Sequence, residues 1–228
     1  MSRRRKTQER HEAKEFSGFK PRSVTARSYN QKAYIKAIAA NDITFCYGPA
    51  GSGKTHIAVG MAVQAMRHHD VERIAITRPT VAVGNDIGYL PGTMEEKVSP
   101  YLVPLFDELS YYCEQSLMKR WLAEKKLEIV PLTMMRGRTF NDTFVILDEA
   151  QNATMGELRM FLTRIGANAT MVLVGDIHQS DLHRDLQGSF EFCIERLGNI
   201  EGIGICELQA EDIVRHRLIS TIENRLAS

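Results

Sequence analysis

The octapeptide GPAGSGKT, Gly48 to Thr55, constrains the fold of this chain more than any other stretch. It matches the pattern GxxxxGK[ST] at Gly48, Gly53, Lys54 and Thr55, directly after the β-branched run ITFCY (43–47) and directly before a helical pattern. A strand, a glycine-rich turn and a helix in that order turn backbone N–H groups inward at a helix N-terminus, which is where a phosphate is held. Gly48, Pro49, Ala50, Gly51, Ser52 and Gly53 form the cradle, the glycines supplying dihedrals closed to other residues. Lys54 then bridges β- and γ-phosphates, and Thr55 offers its hydroxyl to Mg²⁺. A chance glycine-rich turn would lack the flanking strand and helix.

The rest of the chain supplies the sheet into which such a loop fits. Short apolar runs recur at 43–47, 73–77, 127–133, 144–148, 170–175 and 203–208. Most are apolar throughout, as expected of parallel strands covered on both faces. Helical patterns fall at 54–68, 95–119, 154–164 and 187–197, and a further one begins near Tyr29. The succession predicts an α/β fold, a wound parallel sheet flanked by helices. With 228 residues and 43% apolar composition, one core is expected, with no repeat or linker dividing it.

Two strand ends carry the chemistry. FVILDEAQN places Asp148 and Glu149 at the carboxyl edge, where open α/β sheets bind ligands. Asp148 is the candidate for holding Mg²⁺, and Glu149 for orienting and deprotonating a water. The adjacent acids argue for water as phosphoryl acceptor rather than a small molecule, with a merely solvated strand edge as the alternative. The second end, LVGDIHQSDL, brings Asp176 and Gln179 to the same edge, and Gln179 suits a neutral sensor of the γ-phosphate. His178 and His183 read as surface polar groups, and Gln179 as a plain turn residue is the competing view. The scattered Cys46, Cys113, Cys193 and Cys206 read as reduced core residues without a zinc site.

The net charge of +1 conceals an asymmetry. Residues 1–36 hold 11 Lys or Arg against 3 Glu, which leaves 18 basic and 25 acidic residues for the other 192. A basic arm, residues 1–23, is expected to be flexible and to precede the domain at 24–228. It is either a solvated tail or a nucleic-acid contact. No apolar run approaches the roughly 18 residues of a membrane span, so a soluble, cytoplasmic protein is expected.

YNQKAY, GPAGSGKT, TRPTVAVGNDIGYLPGTMEEKVSPYLVPLFDEL, MRGRTFNDTFVILDEAQNAT, LTRIGANATMVLVGDIHQSDL and DIVRHRL, in this order, closely resemble the signatures of the PhoH-like ATPases. That family is related to the RecA-like core of superfamily 1 helicases, and the similarity runs from about residue 24 to 225. The resemblance implies that Gln31 reads the adenine of ATP. It also implies that Arg215, with Arg164 as a second candidate, stabilises the transferring phosphoryl group. It places Arg78 in a strand-end loop that touches single-stranded nucleic acid, with Arg136 and Arg138 near it. Pairing with body acids or shaping a subunit contact is the alternative for these three.

A two-domain helicase closes its ATP site with an arginine from its second domain, whereas 13 residues follow Arg215 here. The expectation is therefore an arginine supplied by a neighbouring subunit in a homo-oligomeric ring, a hexamer, without the PIN nuclease domain of some relatives. RNA or single-stranded DNA is the expected partner of this ATPase. An ATP-dependent oligomeric switch in a stress or phosphate-starvation response, without motor activity, is the second reading, and a small-molecule kinase the third.

Overall fold

A computed structural model describes residues 22–79, 94–213 and 225. Most of the basic arm and Arg215 lie outside the described residues. Helix α1 (Tyr29–Ala40) leads into β1 (Ile43–Tyr47), and α2 (Lys54–His68) follows the loop. Next come β2 (Arg73–Arg78), α3 (Met94–Tyr112), α4 (Gln115–Ala123), β3 (Leu127–Pro131) and β4 (Thr143–Leu147). Helix α5 (Met155–Leu162), β5 (Thr170–Gly175), α6 (Ser189–Leu197) and β6 (Ile203–Glu207) complete the order.

The six strands form one sheet in the order β3-β2-β4-β5-β1-β6, and every pairing among them is parallel. The wound α/β sheet expected from the sequence is thus the observed fold. Side chains alternate across a strand, and both faces are apolar here. Cys46, Ile74, Ile76, Phe144, Ile146, Val172 and Val174 meet α1, α2, α3 and α4 on one face. Phe45, Ala75, Val145, Leu147, Met171 and Leu173 meet α5 and α6 on the other. Continuous apolar strands are the sequence trace of this double cover.

Several boundaries shift by a residue or two, and three of the differences have a clear local reason. The run at 127–133 stops pairing at Pro131, and the chain tightens into a 3₁₀ turn over Leu132–Met135; Pro has no N–H for the ladder. The helix expected at 95–119 is two helices, broken at Glu114 in an extended conformation. The second turns Leu117, Met118 and Trp121 into the core, so the single Trp is a packing residue. The helix expected from residue 154 starts at Met155 because Thr154 caps it, in a reciprocal capping box with Glu157.

Burial raises the thiols of all four cysteines, Cys113 and Cys206 to about 11. None is poised as a nucleophile.

Helix α2 lies close against its neighbours at Gly60. A Cβ there would lie 2.5 Å from Tyr112 Cζ and 2.6 Å from Val24 Cγ2. Alanine is the better helix former, yet the clash opposes it. Gly60→Ala is expected to lower unfolding free energy by about 1–3 kcal/mol, read from the urea midpoint at constant slope. A stabilised variant would refute the close-packing account.

Candidate active site

The phosphate loop is clamped at its first residue by two neighbouring strands. Gly48 N–H donates to Gly175 O at 3.3 Å, at the end of β5. On the other side, a Cβ on Gly48 would lie 2.1 Å from Leu208 O, just past β6. Its φ of 147° adds to that constraint, so glycine is required by both backbone conformation and space. Within the loop, Ser52 Oγ donates to Pro49 O at 2.8 Å. Gly53, with φ 95°, caps α2.

Lys54 Nζ donates to Gly48 O at 2.6 Å and to Pro49 O at 2.9 Å, which folds the side chain across its own loop. Burial lowers the Lys54 pKa, while the nearby carboxylates of Asp176, Glu149 and Asp148 pull it back up.

A cleft of about 460 Å³ opens at the carboxyl edge of the sheet. Ala50, Gly51, Gly53, Lys54 and Thr55 form its floor, and Asp148, Glu149, Asp176 and Gln179 form one wall. Three separate stretches named from sequence therefore converge on one space. Asp148 is buried, and its Oδ1 accepts from Thr55 Oγ1 at 2.7 Å. A hydroxyl and a carboxylate oxygen side by side are hard donors of the kind that hold Mg²⁺ together with substrate phosphates, so these residues fit that ion.

Glu149 sits in the left-handed region, φ 54° and ψ 43°, unusual for a residue with a side chain. Its Oε2 accepts from Gln151 Nε2 at 2.8 Å, and Gln151 Oε1 accepts from the Asp176 N–H at 3.0 Å. Gln151 thus ties the two acidic strand ends together. Asn152 continues the link, exchanging hydrogen bonds with Asp181 at 3.1 and 2.7 Å. Neither Gln151 nor Asn152 has a role on sequence grounds. Two polar side chains straight after a buried strand are the available signal.

The N-terminal segment and helices α1, α2 and α3 also border the cleft. Ser23, Thr25, Arg27 and Gln31 line it, with His56, Glu108, Tyr111 and Tyr112. His56 Nδ1 lies 2.7 Å from Glu108 Oε2, and its ring packs 4.7 Å from Tyr111 and 4.9 Å from Tyr112. No sequence pattern joins residues 56 and 108; tertiary packing does.

Gln31 borders the cleft but is committed to the chain itself. Its Oε1 accepts from the Arg27 N–H at 2.8 Å, and its Nε2 donates to Ser52 O at 2.9 Å and Asp212 O at 3.5 Å. The side chain therefore braces the phosphate loop, with both amide hydrogens spent inside the chain.

The arginines divide. Arg78 Nε donates to Asp148 Oδ2 at 3.1 Å, and its Nη2 makes a second bond to the same oxygen. Arg138 pairs with Glu128 through contacts of 2.8 and 3.0 Å and lies 5.0 Å from the centre of the Phe140 ring. Pairing with body acids, the alternative to a nucleic-acid contact, thus describes both. Arg136 is exposed. Arg164 follows α5, where its carbonyl accepts from the Phe140 N–H at 2.9 Å. It is not among the residues lining the cleft. His178 and His183 are exposed, and His183 lies 3.2 Å from Asp185.

Comparison with known proteins gives this arrangement a family. A profile described as PhoH-like protein matches residues 23–227. The chain belongs to the PhoH-like protein family. A PhoH-like protein of Mycobacterium tuberculosis (strain ATCC 25618 / H37Rv) is 43% identical over 206 residues, 90% of this chain and 58% of that protein. A PhoH-like protein of Bacillus subtilis (strain 168) is 42% identical over 203 residues, covering 89% and 64%. Protein PhoH of Escherichia coli (strain K12) is 43% identical over 197 residues, covering 86% and 56%.

The PhoH-like chain described here thus spans less than two thirds of the length of these curated relatives. Among solved structures, the large terminase of a thermophilic bacteriophage in complex with ADP superposes with a TM-score of 0.52 at 10% identity. That likeness covers 87% of this chain and 50% of the terminase and concerns the fold. The fold of this PhoH-like chain is that of a P-loop NTPase.

The Asp212 carboxylate adds a further tie between the start of α1 and the C-terminal segment. Asp212 Oδ2 accepts from Asn30 Nδ2 at 3.0 Å and from the Gln209 N–H at 2.6 Å. Burial raises the Asp212 pKa, but hydrogen bonds from Ser28, the Gln209 N–H and Asn30 outweigh it, so the carboxyl lies below its usual range. A depressed carboxyl contributes stability above its unfolded pKa, about 3.9, and loses it as pH falls through the folded value. The stability gap between wild type and Asp212→Asn should be full above about pH 4 and close below it. Denaturation at pH 7, 4 and 3 reads this, and a pH-independent gap would contradict it.

Proposed function

We propose that this PhoH-like chain is a Mg²⁺-dependent ATPase whose phosphoryl acceptor is water. The observation that carries the reading is the juxtaposition at the cleft of Thr55, the buried Asp148 and Glu149, the last held by Gln151. The loop N–H groups and Lys54 hold the β- and γ-phosphates. Mg²⁺ held by Thr55 and Asp148 would neutralise charge on the phosphates. Glu149 takes a proton from water as the water oxygen bonds to the γ-phosphorus and the bond to the bridging β–γ oxygen breaks, with ADP leaving. Gln179 orients the water or senses the γ-phosphate, and Gln31 meets the adenine.

Glu149→Gln should keep ATP binding and lose about 10²- to 10⁴-fold in hydrolysis. Lys54→Ala should weaken nucleotide binding as well. Single-turnover hydrolysis beside fluorescent-nucleotide binding separates the two, and normal turnover by Glu149→Gln would sink the water-acceptor reading.

The wider role we propose is action on single-stranded nucleic acid, RNA or DNA, by a homo-oligomeric ring, a hexamer, in the cytoplasm. Arg215 of a neighbouring subunit would complete each site. The basic excess in residues 1–36 and the exposed Arg136 support a polymer contact, with Arg78 and Arg138 held by carboxylates. Among the described residues no helix is long and apolar enough to cross a membrane.

RNA and single-stranded DNA should stimulate the ATPase, and raised salt should weaken that stimulation steeply. Arg215→Ala should abolish turnover. A basal rate indifferent to nucleic acid would favour the oligomeric switch, and normal turnover by Arg215→Ala would end the shared-site proposal.

A further inference from the structure

The two oxygens of Asp148 have different partners. Oδ1 accepts from Thr55 Oγ1 at 2.7 Å, on the phosphate-loop side. Oδ2 accepts from Nε and Nη2 of Arg78, on the β2 side. The backbone dictates this arrangement. Strands β2 and β4 are adjacent and parallel, with Thr77 beside Leu147, and the Asp148 N–H donates to Thr77 O at 2.9 Å. The residue after Thr77 and the residue after Leu147 therefore leave the sheet side by side. The Arg78 side chain is 22% exposed and that of Asp148 3%, so this charged bond is largely shielded from water.

We infer that Arg78 is a positioning residue for the metal site, acting through Asp148. Two N–H groups from one planar guanidinium fix the rotation of the carboxylate. They also occupy Oδ2, so that Oδ1 faces Thr55 as the oxygen available to Mg²⁺. Partners behind a metal ligand orient it and set its affinity. This inference rests on the reading that Mg²⁺ binds with nucleotide at Thr55 and Asp148, and it assigns Arg78 a role other than gripping nucleic acid. Lysine would supply charge without the fork, so it restores part of the effect.

The test uses the full chain and a fluorescent ADP analogue, titrated with Mg²⁺ and measured separately in EDTA. Arg78→Ala and Arg78→Gln should raise the Mg²⁺ concentration for half the metal-dependent gain in ADP affinity by about 10- to 100-fold. Arg78→Lys should fall between them and wild type. ADP affinity in EDTA should match wild type for all three, which reports an intact loop and fold. An unchanged Mg²⁺ requirement in Arg78→Ala with normal EDTA binding overturns the inference, and a lowered one overturns it by making Arg78 a competitor of the metal. Should Arg78→Ala and Arg78→Gln fail to fold, Arg78→Lys decides: a Mg²⁺ requirement equal to wild type overturns the inference. Wild type that gains no ADP affinity from Mg²⁺ would instead remove the underlying metal reading, and the inference with it.

Discussion

Asp148 is a carboxylate almost wholly removed from water, and the carboxyl edge of the sheet is arranged around satisfying it. A buried charge is tolerable when paired and hydrogen-bonded. Here Thr55 comes from the phosphate loop and Arg78 from the neighbouring strand. Those partners belong to β1–α2 and β2, and Asp148 itself follows β4, so satisfying one charge aligns three strand–loop units. Because β5 separates β4 from β1, the carboxylate reaches Thr55 across the end of β5. Asp176 and Gln179, which follow β5, border the resulting cleft.

Two polar braces keep this edge in place. Gln31 links the N-terminal segment, the back of the phosphate loop and the C-terminal segment through Arg27, Ser52 and Asp212. Gln151 links Glu149 to the start of the β5 loop. Removing either amide would strand buried groups that had partners, which costs more than the net worth of the bonds. Both braces meet backbone or side-chain groups of the cleft residues directly. One brace thus ties the phosphate loop to the C-terminal segment, and the other ties the ends of β4 and β5 together.

Much of the site was legible in the chain because its recognition signals are local. GPAGSGKT combines strand, turn and helix within a few residues, and FVILDE and LVGDIHQ each end an apolar run in acids at the edge where ligands bind. The start of the helix at Met155 was legible to within a residue, because its apolar periodicity is a pattern of contiguous residues. The break at Glu114 was less legible: both flanking segments are helical in pattern, and what separates them is the direction in which each finds core to cover.

The sequence by itself determined the fold class, the phosphate loop and the carboxylates, since periodicity, glycine placement and strand-end acids are properties of contiguous residues. Only the tertiary structure decided partners. Arg78 and Asp148 lie 70 residues apart, and their bond follows from β2 and β4 being neighbours in the sheet. Likewise His56 meets Glu108 and Gln31 meets Asp212 through helix packing that no spacing encodes. An arginine at a strand end has the same sequence appearance whether it grips a polymer or a carboxylate. The adjacent strand, by presenting a buried charge, made the choice.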